Sequence, residues 1–358
     1  MAEGSAYTEI LRALPVSEIS KPLTKKIKKN WDDLAIPLDS MGKFSKILTR
    51  IGAILKDESI DIGKKIVLVM CADNGIVAEG ISQSGQEVTR IVAEGMGQGQ
   101  SSVCKMAMRA GIHILPVDVG INTKTQLAGV RSCKIREGSR NFLQEPAMTP
   151  EETLQAMTVG MELVREFKER GCRLIGTGEM GIGNTTTSSA LAAVFLGIPV
   201  ETVTGRGAGL STSGLTKKIS AIHQAIQVNQ PDPADGIDVL AKVGGFDLAG
   251  MAGLFLGGAA EGIPVVIDGI ISEAAALAAY VICPDCVNYM IASHLSKEPA
   301  AQMILSKLGL DAMLDCEMHL GEGTGAVALF PFLDMGAKLY NTLSTFEDIH
   351  VEQYEELK

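Results

Sequence analysis

From Lys65 onward the chain alternates short runs that are apolar at nearly every position with longer segments in which apolar residues recur every three or four positions. The runs are IVLVMCAD (66–73), IHILPVDVG (112–120), RLIGTGEMG (173–181), IPVETVTG (198–205), IPVVIDGI (263–270) and AYVIC (279–283). A strand buried on both faces lacks apolar/polar alternation, so these runs predict a parallel sheet covered by helices on both sides. Ahead of them, FSKILTRIGAIL places Phe44, Ile47, Leu48, Ile51, Ile54 and Leu55 on one face of a helix. Between the second and third runs, Thr149 followed by Glu152 predicts a capping box, opening a helix striped by Leu154, Met157, Met161 and Val164. Six such alternations predict an open sheet, since a (β/α)8 barrel needs eight. The expected fold class is α/β: an open, mainly parallel, Rossmann-like sheet with helices on both faces and a smaller helical lobe. Residues 60–330 are expected to form the α/β domain and residues 1–59 and 331–358 the lobe, with the acidic tail VEQYEELK as a solvated helix end.

Composition narrows the function. The 358 residues are 46% hydrophobic, enough for a large core, and 39 glycines with only 4% aromatics favour tight turns between strands and helices over a β-sandwich. A net charge of −10 repels a phosphate backbone, so no nucleic-acid partner is expected. Glu261 and Asp268 interrupt the longest apolar stretch, so no membrane span is expected. No basic-then-apolar leader opens the chain, and seven scattered cysteines read as reduced thiols; both point to the cytoplasm.

In an open parallel sheet, ligands sit outside the carboxyl ends of the strands, which directs attention to the turns ADNG, DVGIN, GTGEMGIGNTTT, TGRGAG and IDGI. The longest, Gly176–Ser189, leads into a helix-compatible stretch. Its glycines allow close backbone approach, Asn184, Thr185 and Thr186 are expected to cap the helix, and free N–H groups at a helix start attract phosphate. It matches neither the P-loop nor a first-strand GxGxxG, which disfavours ATP and NAD, and an ordinary strand-to-helix turn has the same spacing. Arg206, Lys217 and Lys218 are the nearby cations, though the two lysines suit a plain helix surface equally. In HLGEGTGA, Glu322 lies between glycines ahead of the apolar VALFPF. Desolvation there would raise its pKa towards that of a useful general base; a loop carboxylate capping the next helix reads the same way. The CPDC pair Cys283 and Cys286 lacks a second pair and reads as structural, while His294, with Ser296 and Lys297 close by, reads as a loop histidine without a ligand or as part of a site lining. With no HExxH and no magnesium motif, the expected chemistry needs neither metal nor cofactor.

Together the strings GQEVTR, EPAMTPEE, GEMGIGNTTTSSAL, GRGAGL, VGGFDLAGMAG, PVVIDG and HLGEGTGA, in that order over residues 30–345, resemble the nicotinate-nucleotide:dimethylbenzimidazole phosphoribosyltransferase family. The resemblance implies transfer of 5-phosphoribosyl from nicotinate mononucleotide to a benzimidazole nitrogen, with inversion from β to α, in cobamide lower-ligand assembly. It implies Glu322 as the base, with Glu179 as a second carboxylate near the ribose. It implies Lys218, Ser296 and the loop of Gly178, Gly181, Gly183, Asn184 and Thr185, with Gly205, on the phosphate and ribose side. Gln86, Ser84 and the apolar wall Leu320 fall on the acceptor side. A dimer is implied, either of identical chains or with a paralogue. The departures from the family pattern cluster on the acceptor side: Asn74 stands within Asp73-Asn74-Gly75 where the family commonly has histidine, and Ser84-Gly85 replace an aromatic and a proline. They keep a phenolic or purine acceptor open, alongside water as acceptor and a non-catalytic paralogous subunit.

Overall fold

The computed structural model describes residue 11 and residues 14–354. In chain order its elements are α1 (Lys21–Asp33), α2 (Lys43–Leu55), β1 (Lys64–Ala72), α3 (Glu87–Gly97), α4 (Ser102–Ala110), β2 (His113–Gly120), β3 (Arg131–Ser132), α5 (Pro150–Glu169), β4 (Cys172–Met180), α6 (Asn184–Leu196) and α7 (Val200–Val203). They continue with α8 (Thr212–Asn229), α9 (Gly236–Val243), α10 (Phe246–Glu261), β5 (Val265–Ile267), α11 (Ile270–Ile282), β6 (Met290–Ala292), α12 (Ala301–Leu308) and α13 (Thr324–Thr342). The strands form one sheet in the order β3-β2-β1-β4-β5-β6, every neighbouring pair parallel.

Alternate residues of the long strands serve two separate cores. Leu68, Met70, Ile175 and Val265 pack with α5, α9, α10 and α11 on one face. Val67, Val69, Leu174 and Val266 pack with α1, α2 and α13 on the other. Coverage on both sides is why the strands read as continuous apolar runs. The expected capping box is present: Thr149 Oγ1 accepts from the Glu152 N–H at 3.1 Å and Glu152 Oε2 from the Thr149 N–H at 2.8 Å.

Two expected strands are helical. Residues 198–205 hold the short helix α7, begun by Pro199 at its N-cap, and AYVIC is the last turn of α11, where the alanine-rich sequence continues the helix. The sheet is completed instead by the two-residue β3 and three-residue β6, too short to show a pattern. Asn184 is the first residue of α6 and supplies no cap; the N-cap is Gly183, without a side-chain hydrogen bond. At the tail, residues 351–354 form no helix, while residues 355–358, like 1–10, 12 and 13 of the expected lobe, lie outside the described residues. The lobe helices meet through Trp31 against Tyr340 at 4.9 Å and Phe44 near Phe332 at 6.2 Å, and α13 runs unbroken through residues 330 and 331. No described helix is long and apolar enough to cross a membrane. Strand order reverses between β1 and β4, which opens a crevice at their carboxyl ends.

Candidate active site

A cavity of about 250 Å3 lies beyond the carboxyl ends of β4, β5 and β6, closed on one side by the loop 319–322. Glu179, Asn184, Thr185, Asp268, His294, Ser296 and Glu322 all reach it.

Glu322 occupies a tight loop. Gly321, Glu322 and Gly323 have φ of 85°, 62° and 89°, three successive left-handed residues that throw the carboxylate clear of the helix α13 beginning at Thr324. Oε2 accepts from the Val103 N–H at 3.2 Å, at the start of α4. Burial pushes the Glu322 carboxyl above its usual range, and the bonds from Val103 and the Ser101 hydroxyl oppose this. Beneath the loop, Asp268 follows β5 and receives the N–H groups of Gly323 at 3.1 Å, Gly325 at 2.6 Å and Ala326 at 3.3 Å.

Glu179 ends β4 and is buried. Its Oε1 accepts the Glu322 N–H at 3.4 Å and its Oε2 accepts from the Asn184 amide. The same amide reaches Asp247 Oδ2 at 3.2 Å, so one carboxamide bridges two buried acids. Desolvation, then the Asp247 charge, raise the Glu179 pKa to about 8, and desolvation raises that of Asp247 to about 6. Glu179 is therefore mostly protonated at neutral pH.

The opposite wall carries the cation. Lys218 of α8 is fully buried, donating to Thr185 Oγ1 at 2.9 Å and to the Gly205 carbonyl at 3.2 Å. Burial lowers its pKa to about 8, against the pull of the Glu298 carboxylate. Lys218 stands behind Thr185, with Ser296, Gly207 and Glu298 lining the same end of the cavity.

The structure thus brings Glu322, Glu179, Gly181, Asn184, Thr185, Ser296 and Leu320 to one cavity, with Lys218 and Gly205 directly behind it. Gly178 and Gly183 act from below: a Cβ on Gly178 would lie 2.8 Å from the Glu322 carbonyl oxygen, and one on Gly183 would lie 2.7 Å from Val77. Ser84 and Gln86 stand apart from the cavity lining. Gln86 donates to the Asn74 carbonyl at 3.0 Å and the Ser84 N–H to Ser82 Oγ at 3.2 Å. Arg206 is spent on the Leu210 carbonyl at 2.7 Å and Thr212. His294, which the sequence left between a loop histidine and a site residue, is buried and lines the cavity. Asp247 and Asp268 were not singled out from sequence; the turn IDGI was the available signal for Asp268, whereas Asp247 opens α10 far from any strand end.

The family profile DBI_PRT, described as Phosphoribosyltransferase, matches residues 16–351. The nicotinate-nucleotide:dimethylbenzimidazole phosphoribosyltransferase of Ruminiclostridium cellulolyticum is 43% identical over 343 residues, covering 96% of this chain and 97% of that protein. The Clostridium acetobutylicum protein of the same name shares 43% identity over the same proportions. Among solved structures, CobT from Thermus thermophilus superposes with a TM-score of 0.88 at 36% identity, covering 93% of this chain and 100% of that one.

Proposed function

The chain belongs to the nicotinate-nucleotide:dimethylbenzimidazole phosphoribosyltransferase family, and from that premise we propose that Glu322 is the base that lets an aromatic acceptor displace nicotinate from nicotinate mononucleotide. The chain is a phosphoribosyltransferase of cobalamin biosynthesis by that membership. In the proposed step the acceptor nitrogen attacks C1′ from the face opposite nicotinate. The C1′–N bond breaks with its electron pair passing to the pyridinium nitrogen, and the acceptor's N–H proton passes to the Glu322 carboxylate. Inversion to the α-anomer follows from attack on the opposite face, and the neutralised ring leaves without a general acid.

The observation that carries this reading is a desolvated Glu322 in the same 250 Å3 cavity as the Thr185, Ser296 and Lys218 end. A base with a raised pKa is a better proton acceptor near neutrality. The ionised Glu322 carboxylate also favours the positive charge that grows at C1′ as nicotinate departs. At the other end, Lys218 and Thr185 supply donors for the 5′-phosphate. Leu320, 57% exposed at the mouth, offers an apolar face for the acceptor ring. Among the described residues no Phe, Tyr or Trp lines this cavity, which with Ser84-Gly85 favours keeping a purine or phenol as second acceptor class. Exposed Met106 and Met108 on α4 and Phe332 and Met335 on the adjoining α13 support assembly as a dimer, of identical chains or with a paralogue.

The test is incubation of the purified chain with nicotinate mononucleotide and, separately, 5,6-dimethylbenzimidazole, adenine or phenol, reading nicotinate release and product mass. An acceptor-dependent ribosyl phosphate product is expected. Nicotinate release without acceptor would replace the transfer by hydrolysis, and no release with any acceptor would reject catalysis by the isolated chain.

A further inference from the structure

We infer that Asp268 is a positioning residue for the reaction: by capping helix α13 from a distant strand, it fixes where the Glu322 carboxylate stands and what field it feels. This rests on Glu322 being the base. The helix of 19 residues starting at Thr324 has Gly323 as N-cap, which brings no side chain to the unpaired N–H groups of the first turn. A cap is nevertheless present. Asp268, 55 to 58 positions away in sequence, places Oδ2 against the Gly323 N–H and Oδ1 against those of Gly325 and Ala326. A carboxylate at a helix start is favoured by both hydrogen bonding and the helix dipole.

The aspartate is itself held. Its N–H donates to Ser272 Oγ at 3.2 Å, and its carbonyl accepts from Ser293 Oγ at 3.0 Å. Strand β5 therefore determines the position of the α13 start, and the residue immediately before the capped turn is Glu322. Gly325 is the companion requirement, since a Cβ there would strike the His294 ring and come 2.9 Å from Asp268 Oδ1. The loop Gly321–Gly323 carries three positive φ values in succession, so it has no regular hydrogen-bond ladder of its own to hold its shape. The Thr324 N–H and hydroxyl close the loop on the Gly321 carbonyl at 3.1 and 2.8 Å, and the Asp268 bonds on one side and the Glu179 contact on the other fix where that turn stands.

Charge acts in the same direction as geometry. The titratable groups that share the cavity with Glu322 are Glu179 near the end of strand β4, Asp268 beyond β5, His294 and Glu298 beyond β6 and His319 in its own loop. Asp268 raises the Glu322 pKa, after the larger effect of burial. A neutral residue at 268 removes that repulsion and leaves the helix start uncompensated, and both changes make Glu322 easier to ionise and a weaker base.

The deciding experiment compares Asp268→Asn with Asp268→Glu in the full chain, with Glu322→Gln measured in parallel. For Asp268→Asn, kcat should fall about 10- to 100-fold with the KM for nicotinate mononucleotide little changed. The acid limb of its kcat/KM profile should move to lower pH. Asp268→Glu keeps the charge but lengthens the arm, so kcat should fall while the acid limb stays in place. Adding Asp268→Asn to Glu322→Gln should cost little further turnover, because the route of action is already gone. Full turnover in either Asp268 variant, or a loss in Asp268→Asn with an unmoved acid limb, overturns the inference. Should Asp268→Asn fail to fold, Asp268→Glu and the double variant decide alone. Near-normal turnover of Glu322→Gln instead overturns the base assignment, a separate failure from that of the inference.

Discussion

The backbone N–H of Glu322 points at Oε1 of Glu179 across 3.4 Å, so two of the glutamates that line the cavity are joined through one's main chain and the other's side chain. Of the two, Glu322 is the one placed to face an acceptor: its Oε2 accepts from the Val103 N–H at the cavity edge, whereas Glu179 is committed to Asn184 and to this loop. Glu322→Gln is expected to lower kcat by about 100- to 10,000-fold while the affinity for nicotinate mononucleotide, measured by calorimetry, stays within a few-fold of wild type. Turnover close to wild type would remove Glu322 from the mechanism.

Glu179 gives a prediction in pH. Its pKa is about 8 in the folded chain against an ordinary 4.5, so the folded state holds a proton that the unfolded state releases across that window. Stability from this group is full below pH 4.5 and is lost as pH rises through about 8, with a slope of at most about 1.4 kcal/mol per pH unit. Glu179→Gln imitates the protonated form. Its melting temperature should exceed wild type at pH 8 and the difference should shrink towards pH 5, with most turnover at pH 7 retained. A difference in melting temperature that does not vary with pH would show that Glu179 is already ionised in the folded protein.

How much of this was legible in sequence depends on whether a feature is local. The strands β1, β2 and β4 each run eight or nine residues with both faces apolar, and such runs read directly. Met290–Ala292 offers only three residues, and IPVET, with the same apolar texture as a strand, closes into a helical turn behind Pro199. The loop proposed to carry the base is one continuous string, GEGTG, so Glu322 could be singled out before the fold was known. Asp247 and Asp268 are made functional by partners 55 to 63 positions away, and no spacing along the chain records such pairings. Lys218 shows the same limit: beside the exposed Lys217 it reads as a surface residue, and only the packing of α8 against the 205–211 loop buries it.

With Lys218 as the proposed phosphate anchor, its burial predicts an upper pH limit for nucleotide binding. With its pKa lowered to about 8 by desolvation, the ammonium is charged below that pH and neutral above it. The apparent KM for nicotinate mononucleotide should therefore climb as pH rises past about 8 in the wild type. Lys218→Met, which keeps length without charge, should raise that KM about 10- to 100-fold at pH 7 and flatten its dependence on pH. An unchanged KM in Lys218→Met would take the lysine out of phosphate recognition.

Gly176 and Gly178 face the same way on β4, and they separate stability from chemistry. A methyl group on Gly176 would meet the side chains of Ala326 and Val67, each at 3.0 Å, whereas one on Gly178 would meet the Glu322 carbonyl oxygen at 2.8 Å and Gly323 Cα at 3.0 Å. Val67 yields by changing rotamer and Ala326, which has no rotamer, by a few tenths of an ångström in α13; the Glu322 carbonyl yields only by moving the 321–323 loop. Both alanine variants should lose about 1–3 kcal/mol of stability to overpacking. Gly178→Ala should in addition lose about 10- to 100-fold in kcat, since the Glu322 carboxylate is carried out of line. Melting temperature and kcat measured on the two variants check this together. Equal turnover in the pair would mean that the loop absorbs the displacement without moving the carboxylate, and that the close approach of β4 to residue 322 is a packing feature alone.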